Sequence, residues 1–190
     1  MISEFVVKNL SQVCPLSKGL VQRLSEVTDQ VSLKSKTILL QQGKVCEKVF
    51  FIEKGFARAF YHKEDQEITS WFMSEGDVIV SVQSFYAQKP SFESIELLED
   101  AVLTSLGYVE LQAIYKDFLE FNVVGRVLTE KYYMLSEERT FSLRLQTAEE
   151  RYKALLTSHP EIFNRAPLKY IASYLGMTPE TLSRLRAKVR

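Results

Sequence analysis

Apolar residues recur at spacings of three and four at Leu10, Val13, Leu16, Leu20, Leu24 and Val27, with Pro15 interrupting the series. That rhythm is one face of a helix, so one or two short helices are expected near the start, laid as a cover on something larger. From Val31 to about Tyr108 the pattern shortens to alternating or continuous apolar runs rich in Val, Ile, Phe and Tyr. The segments VSLK, TILLQ, KVFFIEKG, FARAFYH, EITSWFM, VIVSV, FESIEL and AVLTSLGY read as strands, punctuated by Gly43, Gly55, Gly76 and Pro90. Short strands so closely spaced favour a closed antiparallel sandwich, barrel or jelly roll, because closure removes exposed edges. With its helical cover this unit is expected to occupy residues 1–110.

Beyond Glu110 no glycine occurs until Gly125, and then none until Gly176. Apolar positions at Phe121, Val124, Leu128, Tyr132 and Leu135, with Leu145 further on, predict one long helix over residues 111–146. A stripe of this length exceeds what a helix lying on a small domain needs, so those first five residues are the expected contact with a partner helix. Docking of the same stripe on the barrel is the alternative. Thr147-Ala-Glu-Glu150 then fits a capping box that opens another helix, ending near Ser158 and His159-Pro160.

Residues 147–190 are expected to form a small helical unit, and its last part carries the most specific pattern in the chain. Ile171, Ala172 and Leu175 give one helix an inward face, and small Ala172 lets a second helix cross closely. Gly176 supplies a turn residue tolerant of left-handed backbone. Thr178 is placed to cap the next helix and Pro179 to occupy its first position. In that helix Leu182, Leu185 and Val189 fall on one side. Glu180, Thr181, Ser183, Arg184 and Lys188 are left outward or flanking, a face that suits a DNA major groove. Arg184 has the geometry for guanine and Glu180 can accept from a cytosine amino group, while Thr178, Lys169 and Arg186 suit phosphates. The pattern is that of a helix-turn-helix.

The formal charge of zero hides an asymmetry. From Arg165 onward there are six basic residues (Arg165, Lys169, Arg184, Arg186, Lys188, Arg190) against the single acid Glu180. The 190 residues are 46% hydrophobic, enough for a substantial core, and disorder is not expected. Two cysteines, Cys14 and Cys46, support neither a disulfide framework nor a thiolate zinc site. Two histidines, His62 and His159, fall in unrelated segments and do not suggest a shared metal site. No apolar run is long enough to span a membrane and no signal-like amino terminus occurs, so a cytoplasmic protein with no membrane partner is expected. Neither a nucleophile motif nor a Gly-rich phosphate loop is present, and the chain is not expected to be an enzyme.

With barrel, long helix and helix-turn-helix in this order, the chain resembles the cyclic-AMP receptor protein and FNR family of bacterial transcription regulators over almost its whole length. The resemblance is carried by Gln42-Gly-Lys-Val-Cys-Glu-Lys-Val-Phe-Phe-Ile-Glu-Lys-Gly55 and by Trp71-Phe-Met-Ser-Glu-Gly-Asp-Val-Ile79, whose glycines mark barrel turns. It implies an α+β fold: N-terminal helices and an antiparallel β jelly roll of the cyclic-nucleotide-binding type, a long dimerisation helix, and a small helix-turn-helix domain. It also implies a homodimer on double-stranded DNA at a near-palindromic operator, with an unidentified small-molecule effector and RNA polymerase as further partners. Glu180 and Arg184 match the family's base-reading Glu and Arg. Its additional Arg before that Glu is Pro179 here, and the sequence stops at Arg190, where most relatives continue into a two-stranded wing.

A larger departure lies in the phosphate cassette. Cyclic-nucleotide binders read Phe-Gly-Glu-x-Ala-Leu and then an Arg, the Glu taking the ribose and the Arg the phosphate. In this alignment Ser81 stands for the Glu and Ser91 for the Arg. Burial of a cyclic phosphate without a charged partner would cost several kcal/mol. Ordinary cyclic-AMP binding is therefore not expected, and no cofactor is identified. Lys89, beside Pro90, is expected in solvent rather than in that role. An iron–sulfur cluster needs about four cysteines, and a haem needs a placed ligand. Ser81, Val82, Gln83, Ser84, Tyr86, Ser91, Phe92 and Glu93 are the expected lining of an altered pocket. The competing expectation is a sensor or protein-interaction module whose tail no longer reads DNA.

Overall fold

The computed structural model describes residues 2–189; the side chain of Val189 lies outside the description, as does Arg190, one of the six C-terminal cations. Helices α1 (Glu4–Ser11) and α2 (Lys18–Val27) open the chain. Each begins at a serine whose hydroxyl accepts an amide of the first turn, Val6 at Ser3 and Leu20 at Ser17, satisfying donors that the helix leaves free. Their buried Val6, Leu10, Leu20 and Leu24 join the core of the barrel.

Among the described residues the barrel has eight strands: β1 (Thr28–Leu33), β2 (Ile38–Leu40), β3 (Lys48–Lys54), β4 (Ala57–Lys63), β5 (Gln66–Met73), β6 (Val78–Ile79), β7 (Ser94–Leu97) and β8 (Ala101–Gly107). They form two four-stranded sheets, in the orders β1-β8-β3-β6 and β2-β7-β4-β5, and every pairing is antiparallel. Buried residues such as Val49, Ile52, Ala57, Ala59, Ile95, Leu97 and Leu103 form the core of the barrel. Gly55, at the β3–β4 turn, has φ +118°, and an added Cβ would stand 2.6 Å from the Cβ of Ala101. Only glycine fits there without displacing β8.

The run VIVSV departs from its expected strand. It leaves the sheet after Ile79, and Ser81 stands at the start of helix α3 (Val82–Ala87). Only Phe51 and Phe50 pair with Val78 and Ile79. A helix then buries Phe85 and Ser84 while leaving Val82 and Tyr86 outside, which strand alternation could not do.

The expected single helix over 111–146 is two. Helix α4 (Tyr108–Asp117) ends at Phe118, whose backbone is extended with φ −129° and ψ 95°, and α5 (Leu119–Leu145) follows. Gly125 lets the two approach, since a Cβ there would lie 2.5 Å from the Tyr115 hydroxyl. Helix α6 (Ala148–Ser158) opens with the Thr147–Glu150 capping box. Helices α7 (Ile162–Arg165), α8 (Leu168–Tyr174) and α9 (Pro179–Val189) complete the fold.

The C-terminal helices pack around Tyr152, Leu155, Ile162, Ile171, Ala172, Leu175, Leu182 and Leu185, together with Phe56 and Phe72 from the barrel. Phe56 and Phe72 stack at 5.5 Å, and Tyr174 tilts onto Phe72 at 5.1 Å. No helix among the described residues is long and apolar enough to cross a membrane.

Candidate nucleic-acid interface and barrel pocket

Helices α8 and α9 meet through Ile171, Ala172, Leu182 and Leu185, all buried. The turn between them has Gly176 at φ +65°, and the Met177 amide reaches back to the Ala172 carbonyl, the closing bond of a left-handed helix cap. Thr178 Oγ1 accepts the Thr181 amide at 3.3 Å, so α9 is capped by its own threonine.

The fixed inner side of α9 sets what faces out. Thr178, Glu180, Ser183, Arg184 and Lys188 are exposed, as is Lys169 on α8, while Thr181 and Arg186 are half-buried. The Arg184 guanidinium donates to Thr181 Oγ1 at 3.3 Å. Glu180 is held below the usual carboxylate range by its own amide at the helix start, by the Thr178 hydroxyl and by Arg184. Lys188 turns toward α6, where it helps, after Lys153, to keep Glu149 ionised. Glu180, Ser183 and Arg184 share the outward side of α9, with Arg186 and Lys188 on its two opposite flanks.

Four of the eight expected pocket residues gather inside the barrel: Ser81, Ser84, Ser91 and Glu93 are buried. Val82, Gln83 and Tyr86 instead face outward, because α3 replaces the strand that would have alternated them, and Phe92, in the segment before β7, is also exposed. The Ser81 and Ser91 hydroxyls are 3.0 Å apart, and Ser91 Oγ also accepts the Glu93 amide at 3.1 Å and bonds the Glu93 carbonyl at 2.8 Å. Ser84 is structural, accepting the Cys46 amide at 2.9 Å and donating to the Lys89 carbonyl at 2.5 Å. Lys89 itself is exposed.

The Glu93 carboxylate is 9% exposed and accepts from Ser70 Oγ at 3.1 Å. Burial pushes its pKa up, against the Ser81 and Ser70 hydroxyls, which lower it. The two serine hydroxyls are thus bonded to each other beside a buried acid. Ser70 was not legible as a site residue: it reaches the pocket across the sheet from a strand with no motif. A separate cavity of about 190 Å³ is lined by Leu39, Leu40, Cys46, Phe50, Ile79 and Ile95 together with the charged Glu47 and Lys48.

The stripe expected to meet a partner helix is turned the other way. Phe121 and Val124 are buried in the barrel core, Leu128 packs against it, and Tyr132 Oη accepts the Val78 amide at 2.8 Å. Leu135 lines a cleft beneath α6. A helix that follows a barrel directly must bury one face on it, and these residues do so. The opposite face of α5 presents Leu119, Val123, Met134, Phe141 and Leu145, between 38% and 79% exposed, with half-buried Val127 in line. At about 100° per residue, this second stripe falls within about 40° of one direction.

Residues 30–118 match the cyclic nucleotide-binding domain. Most of the chain shares its fold with solved structures described as transcription regulators. FixK2 from Bradyrhizobium japonicum superposes with a TM-score of 0.72 at 20% identity, covering 86% of this chain and 84% of that one. A Eubacterium rectale protein, described as a transcriptional regulator of the Crp/Fnr family, gives 0.73 at 17% identity over 91% and 83%. CLP of Xanthomonas campestris, described as a c-di-GMP-responsive global regulator, gives 0.70 at 14% identity over 91% and 91%. No curated protein matches the chain by sequence.

Proposed function

We propose that this chain, with its cyclic nucleotide-binding domain and Crp/Fnr-type fold, is a DNA-binding transcription regulator that acts as a homodimer. The observation that carries the reading is the outward face of α9: Thr178, Glu180, Ser183 and Arg184 are exposed together, while Leu182 and Leu185 hold the helix on α8. Arg184 is assigned to guanine and Glu180 to a cytosine amino group, with Lys169, Thr178 and Arg186 at phosphates. The homodimer is assigned to the outer stripe of α5, since an exposed apolar stripe of this length on a soluble fold calls for a partner. Two recognition helices would then stand about 34–36 Å apart, on a near-palindromic site.

The barrel is proposed to sense something other than ordinary cyclic AMP. A cyclic phosphate placed against Ser81 and Ser91 would meet hydroxyls and the Glu93 carboxylate rather than a guanidinium that offsets its lost hydration. Selection of sites from a randomised duplex pool at two salt concentrations tests the DNA reading. The expected result is a palindromic consensus that Glu180→Ala with Arg184→Ala loses. Only salt-sensitive, sequence-blind binding, or none, would overturn it in favour of a sensor or interaction module.

A further inference from the structure

Strand β5 carries a bulge whose extra residue joins the pocket to the helical pair. Along the β4–β5 ladder Ala59 pairs with Trp71 and Phe60 with Thr69, so Ser70 has no partner. A bulge frees backbone groups from the ladder and re-aims a side chain, and here three groups at the bulge find partners outside the ladder. The Ser70 hydroxyl points inward and donates to Glu93 at 3.1 Å. Its carbonyl points outward and accepts from Arg139 Nε at 3.0 Å. The neighbouring Thr69 amide donates to Ser173 Oγ on α8 at 3.1 Å.

Arg139, on α5, completes the connection. Its Nη2 donates to the carbonyl of Tyr174, the last residue of α8, at 2.6 Å, and its guanidinium lies 3.7 Å from the centre of the Tyr174 ring. No carboxylate pairs with Arg139 among the described residues, and burial lowers its pKa. The two carbonyls and the ring are thus what hold this charge. A guanidinium is planar and its donors are fixed in one fork, so a shift of the Ser70 carbonyl must either move the Tyr174 carbonyl or break a bond. Two residues beyond Tyr174 is Gly176, the turn that sets the angle of α9.

We propose that Ser70 and Arg139 form a relay through which the state of Glu93, buried inside the barrel, sets the position of the α8–α9 turn. A change in the hydrogen bonding of Glu93, by a ligand reaching it or otherwise, tilts Ser70 at the bulge, and Arg139 carries that displacement to Tyr174. The regulatory meaning of the relay rests on the DNA-binding role of α9; the mechanical coupling does not.

A double-mutant cycle separates the two. Amide hydrogen exchange at Leu175, Gly176 and Met177 is measured for the wild type, Glu93→Gln, Arg139→Gln and the double variant. Glu93→Gln is expected to change exchange at the turn by about 2- to 30-fold with Arg139 present, and by no more than experimental error without it. Equal changes in both backgrounds, or none in either, overturn the relay. Ser70→Ala keeps the carbonyl and removes only the hydroxyl, so it guards against misfolding of Arg139→Gln: in that background too Glu93→Gln must fall silent at the turn. The same variants are then titrated with the selected duplex. Coupled exchange without any DNA binding would leave the relay standing and remove the DNA-binding reading, whereas DNA binding without coupled exchange would do the reverse.

Discussion

At the scale of single residues, the helical pair and the pocket make opposite demands on charge. Arg184 is exposed and, among the described residues, bonded to a neighbouring threonine, so its removal leaves nothing buried and unpaired. Arg184→Ala is expected to weaken binding to the selected duplex by about 1–3 kcal/mol, with an unchanged melting temperature; fluorescence anisotropy and thermal denaturation check the two halves. Glu93 is the reverse case, a buried acid whose folded-state pKa lies above its ordinary 4.5. Such a group favours folding fully below its unfolded pKa, and that contribution is lost as pH rises through the folded value. Glu93→Gln is therefore expected to match the wild type near pH 4 and to gain in relative melting temperature as the pH rises to neutral. A difference independent of pH would show that Glu93 is not a strained carboxylate.

At the scale of elements, α5 is the decisive piece because both of its sides are apolar. The side bearing Phe121 and Val124 belongs to the core. The side bearing Met134 and Phe141, 59% and 56% exposed, is left for another molecule. Charging it should leave the barrel intact and separate the protomers. Met134→Glu with Phe141→Glu is expected to convert a dimer to a monomer at micromolar concentration in light scattering, with an unchanged circular dichroism spectrum. A wild-type monomer, or a variant that stays dimeric, would remove α5 from the interface. The helical pair poses a related question of faces: α9 keeps its polar side free only because α8 takes Leu182 and Leu185 from it.

For the whole molecule, the C-terminal helices and the barrel share apolar residues as well as ion pairs. Phe56 and Phe72 leave the sheet to join the core around Leu182. Arg165 binds Glu75 and Glu99 at 2.7–2.9 Å, and Arg58, 1% exposed, is clasped by Glu67 and Glu96 while its guanidinium lies 3.4 Å from the Tyr170 ring centre. Cohesion of this kind predicts one cooperative unfolding transition in calorimetry. Phe72→Ala is expected to cost about 3–5 kcal/mol and to lower that single transition rather than split it. Two separate transitions in the wild type would show that the helical pair folds independently.

Periodicity alone was enough for the helical start, the strand-rich middle and the helical end, the capping box at Thr147, the turn at Gly176 and the outward chemistry of α9, because each follows from spacing or backbone permission within a few residues. The resemblance added the meaning of Ser81 and Ser91 as departures. Tertiary structure decided what spacing could not. Of two apolar stripes on α5, the one that faces the barrel is chosen by the break at Phe118 and the close crossing at Gly125, neither of which periodicity reveals. The run after Ile79 became a helix because only two of its residues find a strand to pair with. Ser70 and Arg139 enter the pocket's surroundings through a bulge and a long side chain that join residues 69 positions apart. Contacts of that separation depend on how the sheets close, and no local pattern records them.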